Sequence, residues 1–168
     1  MDSGLLVARV VLGGLMAAHG AQKLLGWFGG YGLSGTGAFM ETLGFRPGRV
    51  FAAMASSAEL AGGVLLALGL FGPLGPAIVL SVMIVAVVTV HWSHGVFAAS
   101  NGIEVPLLYA TGAAALILTG PGQYSLDALF GLTQVWTPRL EWIALGAGIA
   151  GAVASLSIRR APASVARA

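Results

Sequence analysis

The sequence predicts an all-α membrane protein, a bundle of four or five transmembrane helices built as one compact domain. Three observations carry that expectation. Of 168 residues, 57% are hydrophobic and only 8% are charged, whereas soluble domains carry roughly 25% charged residues. Mean hydropathy is +0.91. Five apolar segments also follow one another, separated by glycine- and proline-rich breaks. They are Leu5–Trp27, Val50–Phe71, Pro76–Val90, Val105–Thr119 and Leu140–Ile158, against the ~20 residues that cross about 30 Å of hydrocarbon.

The first segment is expected to be a retained helix rather than a cleaved signal. A signal has a positive n-region, and Met1–Gly4 holds only Asp2. The next break, Gly29–Gly37, holds five glycines in nine residues, and it reads as too flexible for a helix interior. Thr36–Phe45 then reads as a short helix lying at the interface or folded back on the bundle, with Phe39, Met40 and Leu43 to one side. Gly72–Pro76 is a tight turn between the second and third segments. The third and fourth segments are short for a span, and Gly120-Pro121-Gly122 stops the fourth. Tyr124–Leu132 reads as a second interfacial helix. The tail Ala161–Ala168 is expected to be disordered.

Charge sets an expected orientation. With five crossings, Lys23, Arg46, Arg49, Arg159, Arg160 and Arg167 share one side, and only Arg139 among the basic residues lies opposite. The basic side reads as cytoplasmic, the N-terminus as outside and the C-terminus as inside. Four crossings would move the tail to the other side. Small residues four apart, Gly13/Ala17, Ala58/Gly62 and Ala147/Gly151, suit close helix contacts. The same faces would serve a homo-oligomer.

Several function classes drop out. The net charge of +2 is small and the basic residues are not interleaved with aromatics, so no nucleic-acid partner is expected. Cysteine is absent, which excludes thiolate zinc, iron–sulfur and thiol-exchange chemistry within this chain. The phosphate-loop, dinucleotide and triad motifs are missing. No metal site is expected either: three histidines are present, but no two stand at i, i+4 on one helix.

Ionisable residues inside the membrane are costly and default to functional hypotheses. Arg9 lies close enough to the outer boundary to snorkel. His19 and Lys23 are one turn apart on the first helix. At 1.5 Å per residue, His19 lies about 12 Å and Glu59 about 13 Å from the basic end, so the two can face each other. Gln22, His91, His94, Asn101 and Glu104 fall at the same end. The candidate catalytic residues are therefore His19, Lys23 and Glu59. The candidate ligand-binding set adds Gln22, His91, Asn101 and Glu104. Glu59 could equally be a packed neutral acid, and His91, His94, Trp27, Phe28 and Trp92 could simply form an interfacial belt.

Two motifs, His19-Gly20-Ala21-Gln22-Lys23-Leu24 and Gly26-Trp27-Phe28-Gly29-Gly30-Tyr31-Gly32, resemble the signature of the DoxX family of small bacterial membrane proteins. The likeness continues through Thr36–Gly44, Glu59-Leu60-Ala61-Gly62-Gly63, Asn101-Gly102-Ile103-Glu104 and Gly120–Asp127, covering roughly residues 5–132. The resemblance implies a four-helix bundle over residues 1–132, with residues 133–160 an added C-terminal transmembrane helix. It implies a bacterial cytoplasmic membrane and a link to respiratory or oxidative-stress redox chemistry. Quinone would be the lipophilic ligand, with soluble or membrane redox subunits as partners. Beside that reading stand a small carrier or channel for a solute or proton, for which Arg9, His19 and Glu59 would line a path, and a non-catalytic assembly subunit.

Overall fold

A computed structural model describes residues 2–160, so the expectation of a disordered tail at Ala161–Ala168 lies outside the described residues. Among the described residues every regular element is helical. Five rods make the bundle: α1 (Asp2–Leu25), α3 (Gly48–Leu68), α4 (Leu74–Ala86), α5 (Glu104–Thr119) and α7 (Pro138–Ser157). Two shorter helices lie between them, α2 (Gly32–Thr42) and α6 (Leu126–Leu129). Continuing α4 to His94 gives four helices long and apolar enough to cross a membrane, α1, α3, Leu74–His94 and α7. The 16 residues of α5 reach about 24 Å at 1.5 Å per residue.

Helix α1 packs most extensively on α3, and glycine explains how. A Cβ on Gly20 would stand 2.4 Å from the Leu60 amide nitrogen, and one on Gly63 would stand 2.4 Å from that of Ala17. The two backbones therefore meet without intervening side chains, which gains the dispersion contacts that drive helix association in lipid. Of the three small-residue pairs, Gly13/Ala17 lies in this seam. Gly62 faces Ile78 of α4, and Gly151 of α7 faces Ser81 of α4. Met16, Leu66, Val79, Leu80, Met83, Ala113, Leu116 and Ile117 fill the centre.

One boundary differs from expectation. Helix α2 begins at Gly32, inside the glycine run that reads as too flexible for a helix. Close packing overrides propensity there: Gly37 lies against the Arg49 backbone, where a Cβ would be 3.0 Å from Cα. The Thr36 hydroxyl also donates to the Lys23 carbonyl at 3.2 Å.

At the far end of the bundle Asp127 is fully buried. Its carboxylate accepts from the Phe71 amide at 2.8 Å, the Gly72 amide at 2.6 Å and the Trp136 indole at 2.7 Å. It thereby ties the α3–α4 turn to the segment leading into α7. Arg9 does not snorkel. It is 2% exposed, its guanidinium donates to the Tyr124 carbonyl, and it lies against Gly69, where a side chain would collide with it. A carbonyl acceptor inside the fold takes one of its nitrogens, while Nε and Nη1 stay buried without a hydrogen-bond partner.

Candidate functional site: a polar cavity at the basic end

A cavity of about 170 Å3 opens between α1, α3, α4 and α5. Its apolar wall includes Met16, Met83, Val105 and Pro106, and its polar groups are His19, Lys23, Glu59, His91 and Tyr109. Each helix delivers its residues by register. On α1 the buried stripe Arg9, Gly13, Met16, Gly20 continues to Lys23, so the lysine leaves the same face that packs on α3. The Lys23 ammonium donates to Glu59 Oε1 at 2.5 Å. Glu59 is 2% exposed and Lys23 36%, so the pair runs from the interior to the rim.

That pair leaves polar capacity unused. Glu59 Oε2 is buried without a hydrogen-bond partner, as is the hydroxyl of Ser56 one turn earlier on α3. Orphaned buried polar atoms cost about 1–3 kcal/mol each, more when charged, and native folds keep few of them. Lys23 has three N–H donors, one of which is engaged by Glu59.

His91 reaches the cavity through a break in regular helix. After Ala86 the chain forms a π-helical turn, Val87–His91, followed by a 3₁₀ turn, Trp92–His94. Single π turns inside α-helices recur at functional sites. His91 Nδ1 bonds the Asn101 carbonyl at 2.7 Å. Because a carbonyl only accepts, the proton sits on Nδ1, which leaves Nε2 of the neutral ring as an acceptor.

The structure thus brings together four of the sequence-derived candidates, His19, Lys23, Glu59 and His91. It places the other three in loop supports outside the lining. The Gln22 amide donates to the Phe28 carbonyl at 3.4 Å. Asn101 offers its backbone carbonyl to His91. Glu104 Oε2 accepts from the Ala98 amide at 2.7 Å and closes the loop before α5. Trp27, Phe28 and Trp92 are exposed at this same end, the arrangement of an interfacial belt. Sequence reasoning misses Tyr109 and Ser56. Each is a hydroxyl in an apolar run; Tyr109 is set apart by lining the cavity with Lys23 and Glu59, and Ser56 by its unpartnered hydroxyl one turn before Glu59. Among the described residues no group of three His, Asp or Glu side chains converges closely enough to hold a metal ion.

Comparison with known families gives one result. A family model described as DoxX matches residues 4–92, and the chain belongs to that family. The match takes in α1 to the π turn with His19, Lys23, Glu59 and His91, and it ends before Asn101, Glu104 and Tyr109. No curated protein and no solved structure matches the chain.

Proposed function

We propose that this DoxX-family membrane protein is a subunit of a redox complex that holds the ring of a quinone, or a similar lipophilic molecule, in the Lys23–Glu59 cavity. The observation that carries the reading is Glu59 Oε2, a buried carboxylate oxygen without a partner in a cavity of about 170 Å3. An apolar cavity of about 150 Å3 holds a benzene ring, so a single six-membered ring fits. The two Lys23 N–H groups not engaged by Glu59 and the Tyr109 hydroxyl would donate to ring carbonyl oxygens. Glu59 Oε2 and His91 Nε2 would accept and deliver protons. Quinone reduction takes two electrons with two protons, and the electrons would come from a partner subunit carrying flavin, haem or metal. Positive-inside bias supports a reading in which the cavity lies in the cytoplasmic half of a bacterial inner membrane, with the C-terminus inside.

A continuous path for a solute or proton is less well supported. The Lys23–Glu59 pair lies at one end and the buried charges Arg9 and Asp127 at the other, with the apolar core residues Met16, Leu66 and Ile117 between them. The test is saturable binding of a radiolabelled short-tail quinone to the purified protein in mild detergent. We expect binding that unlabelled quinone displaces and that Glu59→Gln weakens at least tenfold with folding intact. Absence of saturable binding, or equal affinity in the variant, would overturn the proposal.

A further inference from the structure

We propose a second site, for one anionic phospholipid, in a groove at the same end of the molecule but on a different face. A cavity of about 240 Å3 lies between the end of α2, α3, α4 and the last turn of α7. Phe45, Phe51, Met54, Val85 and Ile158 form its apolar wall. Met54 and Ile158 are 61% and 54% exposed, so the groove opens sideways, where acyl chains lie. At ~30 Å3 per water-sized group, this volume takes about eight methylenes of a chain.

The rim supplies the headgroup chemistry. Phe45 precedes Arg46 and Ile158 precedes Arg159, so each apolar wall residue is joined to an arginine at the membrane-surface end. The two strands of chain are tied: the Arg160 amide donates to the Gly44 carbonyl at 2.9 Å, and the Arg159 guanidinium donates to the Leu43 carbonyl. Arg46 is two residues from Gly44, within about 7 Å along the chain, so Arg46, Arg159 and Arg160 lie close together on the chain segments that carry Phe45 and Ile158. Arg49 is the second residue of α3, beside them. Among the described residues the only ion pair is Lys23–Glu59; the Glu41 carboxylate at this rim accepts from the Gly48 amide at 3.1 Å, and none of the four arginines forms an ion pair with a described carboxylate. An apolar slot capped on one end by four arginines outside any ion pair matches an acyl chain with a phosphate headgroup. Arginine forks recognise phosphate oxygens in pairs, and basic pockets between transmembrane helices bind anionic headgroups. A neutral partner helix would leave the arginines without counter-charge.

The site is independent of the quinone cavity, and its occupant would staple α7 to the bundle. The test is native mass spectrometry of the delipidated full chain with equimolar phosphatidylglycerol and phosphatidylcholine. We expect one phosphatidylglycerol retained at least tenfold over phosphatidylcholine. The double variant Arg46→Gln/Arg160→Gln should remove the preference. Met54→Trp, which fills the groove and leaves the arginines in place, should lower phosphatidylglycerol retention at least fivefold. Arg139→Gln, at the opposite end, should change nothing. Equal retention of the two lipids overturns the proposal. So does a preference that survives both the arginine and the Met54 changes, or a stable dimer that excludes lipid from the groove.

Discussion

At the residue scale the molecule is organised by two carboxylates and their partners. Glu59 shares its charge with Lys23 and leaves one oxygen free, whereas Asp127 has its oxygens satisfied by three N–H donors. The first arrangement suits a site and the second suits a latch. Removing one member of the Lys23–Glu59 pair strands the other. We therefore expect Lys23→Met to lower stability by about 1–3 kcal/mol in detergent melts. Glu59→Gln added to it should recover part of that loss, giving a non-additive cycle; strictly additive effects would mean that the pair is not formed. Glu59 and Lys23 were legible in the sequence because charge in an apolar run is rare. Asp127 reads from sequence only as part of an interfacial helix, Tyr124–Leu132, on the side opposite the basic end. Its burial depends on two backbone amides 55 and 56 residues earlier in the chain, which no local pattern reveals.

At the element scale, small residues decide which helices touch. Gly20 and Gly14 lie on the same helix, yet a Cβ at Gly20 would strike the Leu60 backbone and one at Gly14 meets nothing within 4 Å. Gly20→Ala should cost about 1–3 kcal/mol through overpacking, while Gly14→Ala should be neutral or stabilise by up to ~1 kcal/mol from helix propensity. Thermal unfolding of the two variants side by side measures the contrast, and equal melting temperatures would argue against the α1–α3 seam. The same rule explains the early start of α2, where glycine lowers propensity but permits contact with α3. It also places the α7 seam at Gly148, whose Cβ would lie 2.8 Å from the Ala77 carbonyl, beside the spaced pair Ala147/Gly151.

At the scale of the whole molecule, the helices alternate between two ends. The C-terminal end of α7 is tied to the loop before α3 by the Arg160–Gly44 bond, and its N-terminal end follows the Asp127 latch opposite. A chain without cysteine makes this arrangement directly testable. Ser3→Cys and Ser157→Cys should react with a membrane-impermeant maleimide from opposite sides of sealed vesicles, Ser3 from outside and Ser157 from the cytoplasmic side. Labelling of both from one side would mean an even number of crossings. The membrane habitat, the five apolar rods and the clustering of ionisable groups at the basic end are legible in the residues alone, because hydropathy and charge act locally and their cost in lipid leaves few alternatives. Which of those groups meet is set by the packing of the helices. Whether a side chain lines a cavity or closes a loop depends on helix rotation, set for α1 and α3 by backbone contacts at glycines distant in sequence, and on the π turn at Val87–His91.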